Sequence, residues 1–168
     1  MQTWLAGQRV TAGGLNKMLP LVAYKPATTS RSSNTTATAD PDLAISIPAD
    51  ALVSYIIEAF LSVTGAAIST GDIKVGLSYS GTLSMATWMG TGTTTASITN
   101  TNFFGKSVDG TTQSYGVNGG QFSQVVLNGQ ITPTTAGTLS VVWAQNTSNA
   151  TATNVRLSSW IKLTRIDP

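Results

Sequence analysis

The stretch ALVSYIIEAFLSVTG, residues 51–65, decides how the rest of the chain is read. At a period of two it places Val53, Tyr55, Ile57, Ala59, Leu61 and Val63 on one side. Leu52, Ser54, Ile56, Glu58, Phe60 and Ser62 fall on the other. A helix is the rival reading of so apolar a run. Its β-branched and aromatic content and the Thr64–Gly65 stop favour a strand. Both sides carry apolar groups, which predicts a central strand. The run is about half the length that a bilayer-spanning helix needs and contains Glu58, so no membrane insertion is expected.

Working outward, the same signal recurs at intervals of about ten residues. LAISIP (43–48) reads as a short strand closed by Pro48. DIKVGLSYSG (72–81) and TLSMATWMG (82–90) read as neighbouring strands around Ser80–Gly81, and TGTTTASITNTN (91–102) as loop plus strand. GKSVDGTTQSYGVNGG (105–120) is the loop-rich stretch, with turn signals at Asp109–Gly110 and Asn118–Gly119. A strand follows over 121–133, with a break expected at Asn128–Gly129. The next, 137–148, puts Leu139, Val141 and Trp143 on one face, and the last covers 153–166. About eight strands and no confident long helix predict an all-β fold, an antiparallel β-sandwich of jelly-roll type. Residues 1–26 read as an N-terminal arm, extended or short-helical, and 27–168 as the sandwich domain. Residues 27–41 are a linker or an edge strand.

Composition narrows the function classes. Charged residues are only 10% of the chain, so Ser and Thr carry its polarity, as on β-rich surfaces that meet other subunits. The net charge of +2 comes from scattered cations with no phosphate-tracking run, which argues against nucleic-acid binding. There is no Cys, hence neither a disulfide framework nor thiolate chemistry. Residues 1–24 show no secretory h-region, so synthesis in a cytoplasm without an export signal is expected. Without His or Cys the usual nucleophile–base pairs and most zinc sites are unavailable, and no enzymatic activity or cofactor is expected. Asp40 and Asp42 flank Pro41, but DPD reads as a turn at a strand entrance rather than a catalytic or calcium pair. Glu58 reads as a core-edge or interface carboxylate. GTGTTT (90–95) lacks the Lys and helix of a phosphate cradle. Trp88, Trp143 and Trp160 read as core or oligomer-interface residues, with a carbohydrate-stacking platform as the alternative. Asp109, Tyr115 and Asn118 are the candidates for an outward contact loop.

The leader TWLAGQRVTAGGLN (3–16) has no place in a sheet. Either it folds back to cap the domain, or its aromatic anchor docks in a groove on a larger assembly. Three segments carry a resemblance: W-x-AGQRVTA-x-x-LN from Trp4 to Asn16, DPDL from Asp40 to Leu43, and GTLSVVWAQNTSNATATNVRLSSWIKLTRI over 137–166. Together they resemble small virion structural proteins, minor tail protein-like, of tailed phages of actinobacteria. The resemblance implies a virion-docking N-terminus, with Trp4, Arg9, Val10, Leu15 and Asn16 matching its shared words, followed by a β-sandwich head. The function expected from it is a non-enzymatic structural protein on the virion exterior, released by host lysis. It is expected in the tail as a fibre, tip or host-contact part. The alternatives are a capsid decoration protein or head fibre, and a carbohydrate-binding module. The expected partners are other virion proteins, further copies of the chain (as a trimer) and a host surface glycan.

Overall fold

The computed structural model describes residues 19–66, 72–119 and 121–166. The docking candidates Trp4, Arg9, Val10, Leu15 and Asn16 lie outside them. Twelve strands are present among the described residues: β1 (Leu21–Tyr24), β2 (Thr29–Arg31), β3 (Thr38–Ile47), β4 (Ser54–Thr64), β5 (Ile73–Tyr79), β6 (Leu83–Thr94), β7 (Ser97–Lys106), β8 (Asp109–Tyr115), β9 (Ser123–Pro133), β10 (Gly137–Gln145), β11 (Thr153–Val155) and β12 (Trp160–Ile166). One 3-10 turn spans Ala49–Ala51.

The strands form two antiparallel sheets. The larger runs β1-β12-β4-β9-β6-β7, with β11 and β2 attached beside β4, and the smaller runs β3-β10-β5-β8. Set aside the short β2 and β11 and the β6–β7 strand pair at one edge. The remaining eight strands, renumbered in chain order, then read 1-8-3-6 and 2-7-4-5, the interleaved order of a jelly roll. The fold is therefore an all-β sandwich, as the alternation predicts.

Residues 51–65 sit where their pattern requires. Strand β4 pairs with β12 on one side and β9 on the other, so it is central. Tyr55, Ile57, Ala59, Leu61 and Val63 are buried between the sheets. Facing them are Ile73, Val75 and Leu77 of β5 and Leu139, Val141 and Trp143 of β10. At about 25 cal/mol per Å² of apolar surface removed from water, this shared layer is the main favourable term in folding.

Several local expectations are corrected. Strands β5 and β6 are not neighbours: the chain crosses from the small sheet to the large one through Ser80–Thr82. Strand β9 runs through Asn128–Gly129 without a break. Gly129 is there because Trp88 stands beside it, and an added Cβ would lie 2.8 Å from the Trp88 Cβ. The stretch 105–120 holds a full strand, β8, where loops are expected. Residues 21–24, assigned to the arm by their sequence, are the edge strand β1, paired with Trp160–Leu163 of β12. The 153–166 run is split by a turn in which Ser158 takes a φ of 70°. DPD lies inside β3 rather than at its entrance. It is nonetheless turn-like, because the register against β10 slips there and the Asp40 Oδ1 accepts the N–H groups of Asp42 and Leu43.

Candidate functional site

The two outer faces of the sandwich differ in chemistry. The small sheet shows Ser46, Ser78, Thr138 and Ser140, hydroxyls of short reach, with Ser46 and Thr138 3.3 Å apart and hydrogen-bonded. The large sheet shows rings and aliphatic chains. Its register brings Tyr24, Trp160, Phe60 and Val126 into one row across β1, β12, β4 and β9, and Thr91 of β6 continues it. At 4.7–4.9 Å between strands, the row is about 19 Å long. The next row holds Val22, Lys162, Glu58, Asn128 and Met89. Beyond it stand Thr164, Ile56, Gln130 and Thr87. Tyr24 is 54% exposed, Val22 58% and Met89 44%. The Lys162 Nζ meets the Glu58 carboxylate at 2.6 Å across β12 and β4, which neutralises both charges at the centre of the face. Glu58, read as a core-edge or interface carboxylate, stands on this outer face.

One end of the face deepens into a shallow cavity of about 420 Å³. Thr91 and Thr93 of β6, Gln124 and Val126 of β9, and Asn118 and Phe122 from the connection before β9 line it. Phe122 is 66% exposed, and the guanidinium of Arg156 lies 4.2 Å from its ring centroid. The Asn118 amide nitrogen donates to the Gln121 side chain at 3.3 Å, and its backbone N–H donates to the Ser123 hydroxyl at 2.9 Å. The Thr93 hydroxyl donates to the Gly116 carbonyl at 2.6 Å. An exposed ring among amides and hydroxyls suits a neutral, hydroxylated ligand.

The sequence-predicted residues separate accordingly. Trp88 and Trp143 are core residues, each at most 1% exposed. Their indole N–H groups donate to the Ser107 carbonyl and the Asp40 carboxylate, both at 2.9 Å. Trp160 is half-buried and belongs to the outer row. Asn118 reaches the cavity. Asp109 is exposed at the start of β8, with its carboxylate accepting the Thr111 N–H at 2.8 Å in an Asx turn. Tyr115 is not an outward contact. Its ring is fully buried against Gly90 and Gly92, whose missing side chains make the room, and its hydroxyl finds no hydrogen-bond partner among the described residues. Burial pushes that hydroxyl far above the ordinary phenol range. The GTGT segment therefore receives a tyrosine ring.

Among the described side chains, Phe122, Phe60 and Tyr24 are surface aromatics that motif reading passes over. The sequence signal for Phe60 is that it falls on the second apolar side of its strand; Trp160, read as a core or interface residue, falls on the polar side of its own, with Arg156, Ser158, Lys162 and Thr164. Among the described residues, no group of three or more Asp or Glu side chains gathers to hold a metal, and no helix is long and apolar enough to cross a membrane. The chain matches no protein-family model and no curated protein.

Proposed function

We propose that this chain is a non-enzymatic structural protein on the exterior of a tailed phage particle. It is held there by residues 3–16 and meets its neighbours through the outer face of the large sheet. The observation that carries the contact role is the row Tyr24–Trp160–Phe60–Val126, flanked by exposed Val22, Ile56 and Met89. A monomer in water gains nothing from this much apolar surface on one sheet face while the opposite face is lined with hydroxyls. The particle itself is suggested by the leader Trp4–Asn16 and the 137–166 segment through their resemblance. The tail is the first location, and a homotrimer is the expected assembly.

Cryo-electron microscopy of virions with and without the gene tests this reading. Density lost from the tail, with lost adsorption, supports a tail host-contact part. Density lost from the capsid lattice replaces the tail with a decoration role. Unchanged virions overturn the particle reading altogether. A second reading, binding of a neutral host-surface glycan, is favoured by the Phe122 cavity. A glycan array probed with the purified chain tests it, and a blank array removes it.

A further inference from the structure

Lys25 follows β1 at the edge of the large sheet, and Asp40 lies in β3 at the edge of the small one. Both side chains are 0% exposed. The Lys25 Nζ sits 2.8 and 3.0 Å from the two oxygens of Asp40, 2.9 Å from Asp42 Oδ2 and 2.6 Å from the Thr29 hydroxyl. Asp40 is held just as firmly. Its Oδ1 accepts the backbone N–H groups of Asp42 at 3.0 Å and Leu43 at 3.3 Å, and its Oδ2 accepts the Trp143 indole N–H at 2.9 Å. Stability alone does not call for such an arrangement, because apolar residues of similar volume commonly serve a buried ion pair's place as well or better.

The geometry points to a covalent outcome: we propose that Lys25 and Asp40 join in an intramolecular isopeptide bond, with Asp42 carrying the protons. A nitrogen so placed between two carboxylate oxygens is about 3.2 Å from the carbon that bears them, within the range of a near-attack arrangement. A swing of the Lys25 side chain about its terminal C–C bonds brings the nitrogen over the face of the carboxyl, which stays held by its hydrogen bonds. Asp42 takes one proton from the ammonium and passes it to Asp40 Oδ2. The freed amine lone pair attacks Cγ, and the charge that develops on Oδ1 is met by the two backbone N–H groups already aimed at it. The C–Oδ2 bond then breaks and the oxygen leaves as water, collecting a second ammonium proton through Asp42. Nζ keeps the third, and Asp42 returns to a carboxylate. One ammonium and one carboxylate become one secondary amide and one water, with no oxidant, reductant or cofactor required. Asp42 is 30% exposed and gives the released water a way out, while the full burial of Lys25 and Asp40 works against the reverse hydrolysis.

The bond ties the two layers of the sandwich together in a chain that has no cysteine to do so. It does not depend on the particle reading. The test is the intact mass of the full chain, expected to be lighter than the sequence mass by about 18 Da, one water. Trypsin spares Lys25 because Pro26 follows it, and cuts after Lys17, Arg31 and Lys74. Segments 18–31 and 32–74 are therefore expected as a single joined species. Lys25→Arg keeps the charge, cannot form the amide and is expected at full mass. Asp42→Asn is expected to leave most of the chain unreacted. Wild-type protein at full sequence mass overturns the proposal. So does a lost water that maps to Asp109–Gly110, where succinimide formation gives the same mass change. Both readings use wild-type protein, so a variant that fails to fold leaves the test intact.

Discussion

Tyr115→Phe is expected to stabilise this protein. The Tyr115 ring fills space left by Gly90 and Gly92, but its hydroxyl is buried with no partner among the described residues. An unsatisfied buried hydroxyl costs about 1–3 kcal/mol. Removing it leaves a void of roughly one small atom, which at about 24 cal/mol per Å³ returns only a few tenths of that gain. The net expectation is a gain of about 1–2 kcal/mol, or roughly 2–8 °C in Tm for a domain of this size. The effect grows with pH. Burial raises the folded-state pKa of Tyr115 above the ordinary 10.0, so its contribution is fully present below about pH 10. Above that pH the unfolded phenol ionises while the folded one does not. Stability then falls by about 1.4 kcal/mol per pH unit from this residue alone. The phenylalanine variant loses that slope. Tyr79, also raised, by burial first and by Tyr55 second, leaves a weaker alkaline dependence in both proteins. Urea unfolding at pH 7 and pH 11 measures both effects. A variant less stable than wild type by 1 kcal/mol or more at pH 7, or parallel behaviour of the two above pH 10, refutes the reasoning.

Three further outcomes follow from specific contacts. Gly129→Ala places a methyl 2.5 Å from the Thr87 carbonyl and 2.8 Å from the Trp88 Cβ, so a loss of about 2–4 kcal/mol is expected in urea unfolding. Glu58→Gln breaks the 2.6 Å pair with Lys162, but both groups are about a third exposed; the cost is expected to stay below about 1 kcal/mol and to shrink in high salt. Phe122→Ala removes an exposed ring and is expected to change stability by less than about 0.5 kcal/mol while abolishing any signal seen on a glycan array.

Legibility in the sequence follows from where each residue's partners lie. The alternation over Tyr55–Val63 is readable because β12 and β9 leave the same face of β4 to the core, so local period and tertiary burial agree. Tyr115 is unreadable as core. It sits in a run rich in Gly, Ser and Thr, and the slot that receives it is made of absent side chains on β6, in the other sheet. Gly129 looks like a strand break for the same reason: its cause is a tryptophan on the neighbouring strand. Lys25 looks like a solvated cation between Tyr24 and Pro26, and only the meeting of β1 with β3 puts it inside. The exposed row was half legible. Phe60 is visible as a second-face apolar residue and Trp160 as a lone ring on a polar face, whereas the alignment that joins them to Tyr24 and Val126 depends on register across four strands.

The place of the Lys25–Asp40 bond matters for how the protein carries load. Under the proposed function, force enters through residues 3–16 and reaches the sandwich at β1. This edge strand has four residues, paired with β12, and the pull comes from its free end. Backbone hydrogen bonds loaded one after another peel at low force, and β1 alone is a weak anchor. Lys25 stands immediately behind it. Once joined to Asp40, it passes the load into β3 and through β10 to the small sheet, so both layers must give way together. Residues between the joined positions, 15 apart, carry no tension. In single-molecule pulling from the two termini, the bonded protein is expected to release less contour than its sequence length by about 40 Å: 15 spacings at roughly 3.3–3.6 Å per residue, less the ~10 Å that the side-chain bridge itself spans. Lys25→Arg should recover that length: β1 peels at low force in both proteins, but in the variant the release runs on past Lys25 toward β3, whereas in the bonded protein it stops there. Equal contour lengths in the two proteins would mean that β1 carries its load on hydrogen bonds alone.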